Sequence, residues 1–326
     1  MRFGLWRHED SIGNSVEHTY ALAFYLFNNN INPAEVEFLV EHEWQKYFVS
    51  CIQGVKEENI KFFSCSPKTP EGRQKYCDVY MPCVYCGKDG YKKSYNSNWQ
   101  YINSQDVSNV TLKFEDKSYV NKFDLPKNAV VLFHRENSGW HDNKNRSVIE
   151  KQRFISNIDT FHDLAKFYAD SGHKVVKIGD MLQKPLPGQY TKFKHGVQHE
   201  HPNIIDFTKY IGQDLQPLWT LEDYLFLLQN CKIFISCDAG IWPMAGAMKK
   251  KMVFCNAVAT GAKYKVTSTH IDKQYLEPVK PHYSLWLPRE TTKVLLKSIW
   301  YHRLVLKYSD NTFEEIIKAA GDLLDD

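Results

Sequence analysis

The sequence predicts an α/β protein built from two parallel-sheet domains that face a cleft. Short apolar runs alternate with stretches whose apolar residues recur at helix spacing, which is the pattern of β-α-β units. The 326 residues exceed the size at which a single core usually stops growing. A segment rich in Pro, Gly, Asn and Tyr, residues 66–124, separates two regions of clear alternation. We therefore expect domains at residues 1–125 and 126–326.

Five alternating elements predict the first domain. Arg2–Arg7 is a short run typical of a strand, and after a polar turn the apolar residues from Val16 to Phe27 recur at helix spacing. An Asn-rich stretch and Pro33 end that helix. The expected elements are strand Arg2–Arg7, helix Ser15–Phe27, strand Val36–Val40, helix Glu43–Ile52 and strand Lys61–Cys65.

The second domain is predicted from a longer series of the same kind. In its first helix the apolar residues from Phe161 to Tyr168 recur on one side, which predicts a face that packs on a sheet. Strands joined by crossover helices form a parallel sheet. The expected strands are Ala129–Phe133, Lys174–Ile178, Asn203–Phe207, Ile233–Ser236 and Met252–Cys255, and the expected helices are Asn157–Ser171, Leu221–Gln229, Trp242–Lys249 and Thr312–Leu324.

The composition excludes several classes of protein. With 41 Lys and Arg against 38 Asp and Glu, the net charge of +3 is too small for nucleic-acid binding through bulk charge. A hydrophobic fraction of 43% excludes an intrinsically disordered chain. The 8 cysteines are scattered, and Cys231, Cys237 and Cys255 lie in apolar runs typical of a buried sheet. We therefore expect reduced thiols and a cytoplasmic protein.

The clearest candidate binding motif lies where strand Ile233–Ser236 runs into the next helix. The turn between them contains Asp238, Ala239 and Gly240. In open α/β sheets ligands bind at the carboxyl ends of strands, and a helix N-terminus there attracts anions. Gly240 lets the backbone approach a phosphate closely. An ordinary strand-to-helix turn capped by Asp238 explains the same pattern, and both interpretations stay open.

Polar residues also follow the strand Ala129–Phe133. Arg135 is suited to bidentate contact with a diphosphate, because its guanidinium presents two parallel donors. His134, beside it, is a second candidate for the same site. A core histidine is the favoured interpretation of a single His at this position.

Two further strands end in acidic residues. Gly179 and Asp180 follow the strand Lys174–Ile178 directly, and Asp206 lies at the end of the strand Asn203–Phe207. A carboxylate at such a strand end suits the ribose hydroxyls of a nucleotide. A solvated turn is the alternative interpretation of Asp180.

The loop after the first strand contains His8, Glu9 and Asp10. In a two-sheet cleft this loop is expected to face the other domain, where Glu9, Asp10 or His8 accepts a proton from an acceptor hydroxyl. A solvated acidic turn is the alternative.

Three cysteines, Cys77, Cys83 and Cys86, resemble half of a zinc site. A structural zinc site needs four ligands at suitable spacing, and nothing in the sequence places a fourth nearby. We therefore predict no metal site and no bound cofactor, and leave the role of these cysteines open.

The second half of the chain resembles a family of bacterial glycosyltransferases with a GT-B-like fold, related in pattern to the heptosyltransferases. Where members of that family carry Asp-Ser-Gly and Ser-Ser-Gly, this chain has Glu136-Asn137-Ser138-Gly139 and Asp238-Ala239-Gly240. The first residues, 2–18, resemble the start of the acceptor domain more loosely. The matching blocks are Val131–Gly139, Arg153–Gly172, Val175–Asp180 with Pro185-Leu186-Pro187, Ile204–Phe207 and Asp223–Asn256.

The resemblance implies an enzyme with two Rossmann-like domains, an N-terminal acceptor domain and a C-terminal donor domain. Such a glycosyltransferase moves a sugar from a nucleotide-activated donor to a glycan or lipid-linked hydroxyl acceptor, in surface polysaccharide or glycoconjugate synthesis. It needs no metal, because basic side chains and a helix N-terminus stabilise the leaving diphosphate. The implied phosphate contacts are Arg135, Asp238, Ala239 and Gly240, and Gly179 and Asp180 are implied to lie near the nucleoside. His134 and Asp206 are further candidates for the donor site.

Two other functions fit the same fold. One is a nucleotide-sugar epimerase, and the other is a non-catalytic sugar- or partner-binding protein on a degenerate scaffold. The run Lys249–Lys251, most simply a solvated helix end, also allows contact with anionic lipid at the inner face of a membrane. We expect no nucleic-acid partner.

Overall fold

The computed structural model describes residues 1–5, 12–63, 76–81, 110–115, 119–134, 156–179, 201–207, 220–237, 241–257, 290–302 and 305–325. Within these ranges the chain forms two parallel sheets, flanking helices and one antiparallel hairpin. The helices and strands, numbered in chain order, are β1 (Arg2–Leu5), α1 (Ile12–Asn28), β2 (Glu37–Val40), α2 (Glu43–Ser50), β3 (Ile60–Phe62), β4 (Val79–Met81), β5 (Val130–Phe133), α3 (Ile158–Asp170), β6 (Val175–Ile178), β7 (Ile204–Asp206), α4 (Leu221–Asn230), β8 (Ile233–Ser236), α5 (Trp242–Ala247), β9 (Met252–Ala257), β10 (Thr292–Leu296), β11 (Ser298–His302), β12 (Val305–Ser309) and α6 (Phe313–Leu324).

The chain divides into two compact units. The first comprises Met1–Lys122, Leu221–Gln229 and Pro243–Lys249, and the second comprises Phe123–Thr220, Asn230–Trp242 and Lys250–Asp326. Each unit contains one of the two parallel sheets, so the predicted α/β class with two parallel-sheet domains is confirmed. The functional domains at residues 1–125 and 126–326 stay a prediction.

The sheet of the first unit has four parallel strands in the order β3-β2-β1-β4. The chain runs from β1 to β3 in one direction and then adds β4 on the other side of β1, so the strand order reverses at β1. Phe3 and Phe38 are fully buried neighbours in the register of β1 and β2. From α1 the core receives Tyr20 and Phe24, whose rings meet edge to face at 4.8 Å.

Helix α1 begins at Ile12, three residues before the predicted start at Ser15. Residues 12–14, which we expected in a polar turn, form its first turn instead, because neither Gly13 nor Asn14 prevents helical backbone. The strand predicted at Arg2–Arg7 is described as Arg2–Leu5, and the strand predicted at Lys61–Cys65 is Ile60–Phe62.

The sheet of the second unit has six parallel strands in the order β10-β9-β8-β5-β6-β7. All four residues of β5, β6 and β8 are buried, which is why these strands read as short, nearly continuous apolar runs. From β5 the chain builds outward through β6 and β7, and then returns to the other side of β5 to add β8. The strand order therefore reverses between β5 and β8.

Two helices of this unit have clear end signals. The Asn157 side chain accepts a hydrogen bond from the Asp159 N–H at 3.0 Å and caps the start of α3. Gly172, with φ of +84°, follows the end of that helix in the left-handed conformation. Thr312 and Glu315 form a capping box at the start of α6, as a Thr-x-x-Glu sequence predicts.

Differences from the predicted elements have local causes. Helix α5 ends at Ala247 rather than at Lys249, because Lys249 takes a positive φ of +53°. Strands β4, β10, β11 and β12 were not predicted. The β11–β12 hairpin turns without the Asn-Gly or Asp-Gly dipeptide that makes a hairpin visible in a sequence. Among the described residues, no helix combines the length and the apolar character needed to cross a bilayer.

Candidate functional site

The candidate site is the carboxyl edge of the six-stranded sheet where the strand order reverses. There β5 and β8 end side by side, and the Cys237 N–H donates a hydrogen bond to the Phe133 carbonyl at 3.2 Å. Open parallel sheets bind ligands at such a switch point, outside the carboxyl ends of the strands. In the sequence Arg135 comes shortly after β5 and Asp238 shortly after β8.

Three of the predicted site residues lie at this edge. His134 follows β5, Gly179 follows β6, and Asp206 is the last residue of β7. Phe133 pairs with Ile178 in the register of β5 and β6, so His134 and Gly179 come next on adjacent strands. The other predicted residues lie outside the described residues; they are His8, Glu9, Asp10, Arg135, Asp180, Asp238, Ala239 and Gly240.

His134 is a buried, neutral histidine. Its backbone N–H donates to the Ile178 carbonyl at 3.4 Å, and its ring centroid lies 5.6 Å from that of Phe161. Burial, followed by the charge of Lys177, lowers the pKa of the imidazole to about 3. This is the environment that the core-histidine interpretation describes, and a contact from His134 to a donor phosphate stays a prediction.

Next to His134 lies a fully buried lysine with two polar partners. The Lys177 Nζ is 2.7 Å from His162 Nδ1 on α3 and 3.2 Å from Asp206 Oδ2 on β7. The Lys177 side chain has no exposed surface, and that of Asp206 is 10% exposed. Since an ammonium can only donate, His162 accepts with Nδ1 and carries its ring proton on Nε2.

These four polar side chains share one face of the sheet. Leu132 pairs with Lys177, which in turn pairs with Asp206, and paired residues of parallel strands project to the same side. His134 lies two residues beyond Leu132 and therefore belongs to that side as well. His162 reaches the same layer from α3. We call His134, His162, Lys177 and Asp206 the buried polar layer.

Sequence reasoning placed His134 and Asp206 at strand ends and missed the other two members. Lys177 carried a signal that was available, because a charged residue between Val176 and Ile178 interrupts an otherwise apolar strand. His162 carried none, since a polar residue on an amphipathic helix usually faces solvent.

At the end of β9, reciprocal hydrogen bonds between Asn256 and Asn311 hold the start of α6 against the sheet, and we call this pair the asparagine lock. The Asn256 N–H donates to Asn311 Oδ1 at 2.6 Å, and the Asn311 N–H donates to Asn256 Oδ1 at 2.7 Å. Asn256 Nδ2 also donates to Ser156 Oγ at 3.0 Å, and Asn311 Nδ2 donates to the Leu296 carbonyl at 3.0 Å. Asn256 takes a positive φ of +56°, a conformation that Asn tolerates better than most residues.

The first sheet also ends in polar residues. Directly after β2 come Glu41 and His42, both half-buried, and their backbone N–H groups donate to Gln45 Oε1 at 2.8 and 3.0 Å. The His42 ring stacks on the indole of Trp44 with centroids 3.7 Å apart and planes 10° apart. The neighbouring strand is β1, after which the predicted proton-acceptor segment follows in the sequence. Sequence reasoning missed this cluster, although polar residues after a buried strand were the signal used elsewhere.

The described cysteines are buried thiols. They are Cys51, Cys77, Cys231, Cys237 and Cys255, none of which forms a disulfide, and burial raises the pKa of Cys231 to about 12. Cys83 and Cys86 lie outside the described residues. Across the part of the chain that the structure describes, no three His, Cys, Asp or Glu side chains are grouped so as to hold a metal ion.

The lysines at 249–251, expected as a solvated helix end, are each half-buried. The Lys251 carbonyl accepts a hydrogen bond from the Phe234 N–H at 2.9 Å, which ties this stretch to the start of β8. The run is therefore less solvated than its composition suggests.

Comparison with solved structures identifies the fold. The ADP-heptose LPS heptosyltransferase II of E. coli matches 99% of this chain and 98% of its own, with a TM-score of 0.55 and 12% sequence identity. E. coli heptosyltransferase WaaC with ADP matches 99% of this chain and all of its own at a TM-score of 0.49 and 10% identity. A glycosyl transferase family 9 structure from Veillonella parvula matches 99% of this chain and 97% of its own at a TM-score of 0.49 and 13% identity.

The similarity to heptosyltransferase II shows that this chain has the α/β fold of GT-B glycosyltransferases. The resemblance read from the sequence is thus confirmed at the level of fold. No protein-family profile and no curated protein sequence matches the chain.

Proposed function

We propose that this protein is a glycosyltransferase that moves a sugar from a nucleotide-activated donor to a hydroxyl acceptor. The observation that carries the proposal is the switch-point edge of the six-stranded sheet, where His134, Gly179 and Asp206 end adjacent strands within a GT-B fold. The buried Lys177–Asp206 ion pair at that edge supports the proposal further. Burying two charges costs desolvation energy, and stability alone gives no reason to bear that cost.

The donor diphosphate is proposed to lie between the segments that follow β5 and β8. Arg135 supplies a bidentate cation, and Asp238, Ala239 and Gly240 supply backbone N–H groups. The adjacency of Phe133 and Cys237 supports this assignment, because it brings the two strand ends together. His134 contributes to the same edge as a neutral ring.

The nucleoside is proposed to lie beside this diphosphate, over the ends of β6 and β7. Asp206 accepts hydrogen bonds from ribose hydroxyls, and Gly179 allows the base or sugar to approach the backbone. Asp180, the next residue after Gly179, is a second carboxylate for the same hydroxyls.

The acceptor is proposed to bind the first unit, where Glu9 or Asp10, with His8 beside them, acts as general base. The base takes the proton of the acceptor hydroxyl, whose oxygen attacks the anomeric carbon of the donor. The bond from that carbon to the diphosphate breaks, and the leaving group keeps the electron pair. Because the acceptor oxygen attacks on the face opposite the leaving diphosphate, this single displacement inverts the anomeric centre. Arg135 and the N–H groups near Gly240 stabilise the negative charge that develops on the diphosphate, so the step needs no metal.

The proposal includes the biological setting implied by the resemblance. The acceptor is a glycan or lipid-linked sugar, and the reaction serves surface polysaccharide or glycoconjugate synthesis in the cytoplasm, with the lysines at 249–251 toward the inner membrane face. The stacked His42–Trp44 pair supports a sugar-like acceptor, because aromatic faces suit sugar rings.

A thermal-shift screen of the full chain against UDP-, GDP-, ADP- and CMP-sugars tests the proposal. A donor at about 100 times its dissociation constant adds about 2.7 kcal/mol of stability, which raises the unfolding temperature measurably. No shift with any of the four classes contradicts the proposal. Conversion of the donor into a different nucleotide sugar, with no acceptor present, contradicts group transfer.

Matched variants then test the roles of individual residues. Arg135→Ala should weaken donor binding by about tenfold or more, whereas Arg2→Ala, which removes an exposed ion pair with Glu37, should not. Glu9→Gln or Asp10→Asn should lower turnover by about 100-fold or more, and the exposed Glu58→Gln serves as control. Full turnover in both base variants refutes the assignment of the base.

A further inference from the structure

The buried polar layer costs free energy of desolvation, and the packing of the sheet does not require it. Leu132 on β5 and Ile235 on β8 occupy the same register row as Lys177, so an apolar side chain fits this row of the sheet. Burying an ammonium and a carboxylate costs several kcal/mol of desolvation per ion, and well-packed apolar residues often serve stability as well or better. Stability alone therefore gives no reason for Lys177 at this position.

The layer is placed where a ligand meets the sheet. Asp206 is the last residue of β7, at the carboxyl edge, and a tenth of its side chain is exposed. Lys177 pairs with Asp206 in the register of β6 and β7 and has no exposed surface, so it acts on a ligand at this edge through the carboxylate. His162 holds the ammonium from α3 at 2.7 Å and thereby fixes the direction from which it meets the carboxylate.

We propose that Lys177, held by His162, is a positioning residue of the donor site: it keeps the Asp206 carboxylate ionised and in one orientation at the carboxyl edge, ready to accept the hydroxyls of a ribose. This inference rests on the proposed function, because it assigns a partner to the nucleoside-binding carboxylate. It adds two residues, Lys177 and His162, that touch neither donor nor acceptor.

The charges around Asp206 make the proposal specific. Among the described residues, the ionisable groups around the carboxylate are Lys177 from β6, which bonds it, His162 from α3, which contacts that lysine, and His134 from β5, on which the charge of Asp206 acts. Removing Lys177 takes away a cation that lies 3.2 Å from the carboxylate. The loss of an adjacent cation shifts a mostly buried carboxylate toward its protonated form, and a protonated Asp206 is a poorer acceptor for hydroxyls.

The test uses Lys177→Met, with ADP, UDP and GDP as probes for calorimetric titration. The ratio of the dissociation constants of variant and wild type should be about tenfold or more near pH 5.5 and should shrink toward about pH 8, as Asp206 ionises again. Using the ratio cancels the titration of the diphosphate itself. A ratio that does not change with pH indicates a merely structural role and overturns the proposal.

Two further variants complete the design. Asp206→Asn should weaken binding equally at every pH, and adding Lys177→Met to it should cause little further loss, because both act through one carboxylate. Independent, multiplying losses in the double variant contradict the proposal, and the double variant keeps the test available if the single Lys177 variant does not fold. Lys174→Met is the matched control, since this exposed lysine bonds Asn203 Oδ1 at the other end of β6; its dissociation constants should not change.

A ligand-free measurement separates this proposal from the proposed function. The carboxyl ¹³C shift of Asp206, followed by NMR across acidic pH, should show the wild-type carboxylate staying ionised to lower pH than in Lys177→Met. Identical titrations overturn the proposal. If none of the three nucleotides binds the wild type while the NMR difference is present, the proposed function fails and the electrostatic role of Lys177 stands.

Discussion

The asparagine lock at the end of β9 makes a quantitative prediction about Asn311. Its side chain accepts the Asn256 N–H at 2.6 Å and donates to the Leu296 carbonyl at 3.0 Å. Asn311→Ala removes both bonds, together with a longer one of 3.4 Å from Asn311 Nδ2 to Glu315 Oε2, and leaves the buried N–H and the part-buried carbonyl without that partner. The Glu315 carboxylate keeps the Thr312 N–H as a donor at 2.8 Å, so the loss of the long bond adds little. The reverse bond, from the Asn311 N–H to Asn256 Oδ1, involves backbone on one side and survives the substitution.

The expected cost follows from those two groups. A buried donor or acceptor left unsatisfied costs about 1–3 kcal/mol, and the carbonyl is partly open to water, so the total should be about 2–4 kcal/mol. Urea unfolding of the full chain measures this loss as a lower midpoint. The matched control is Asn29→Ala, because that exposed side chain bonds only the Tyr25 carbonyl in the described structure and its loss should cost about 0.5 kcal/mol or less.

If the midpoints of Asn311→Ala and Asn29→Ala coincide, the asparagine lock does not stabilise the second unit and the reasoning is wrong. A loss well above about 4 kcal/mol also contradicts it, because the two short hydrogen bonds and the long one to Glu315 do not account for such a value.

Three other substitutions have signed expectations. Gly172→Ala should cost about 1–2 kcal/mol of stability and lower the thermal midpoint, because φ is +84° there. Gly321→Ala, inside α6 with open space around a Cβ, should add about 0.5–1 kcal/mol of stability and raise the thermal midpoint. Midpoint shifts of the same sign refute both arguments. The pKa of His134 is about 3 in the folded chain, below its ordinary value near 6.5. Between pH 3 and pH 6.5 the unfolded chain therefore binds more protons than the folded chain, so stability falls as the pH falls. Urea unfolding should show His134→Gln losing about 2 kcal/mol less than wild type between pH 7 and pH 5, and equal losses contradict the assignment.

The sequence predicted the sheets well because their signals are local. Strands β5, β6 and β8 are short apolar runs buried on both faces, and such runs predict a covered parallel sheet without knowledge of their partners. The face of α3 from Phe161 to Tyr168 was equally visible, and those predicted contacts are buried. Helix ends were less visible, as Lys249 shows, because a positive φ at a lysine has no sequence signal.

The candidate site was predicted only in part, since its members meet through tertiary structure. Lys177 is 15 residues from His162 and 29 from Asp206 in the sequence, and no local pattern joins them. The strand order determines which loops lie at the same edge of the sheet, and here β5 lies between β8 and β6. Neither this order nor the register between strands can be predicted from apolar runs alone. Asp206 was found because it ends a strand, which is a local property.

The location of the donor site is the central claim, and photo-crosslinking tests it most directly. The full chain is irradiated with an azido analogue of the nucleoside diphosphate that stabilises it in the thermal-shift screen, and the labelled peptides are identified by mass spectrometry. We expect label on the segments that follow β5, β6, β7 and β8, with Arg135→Ala reducing it and Arg2→Ala leaving it unchanged. Label confined to the peptides of β1 to β4, at the same level in both variants, would contradict the account.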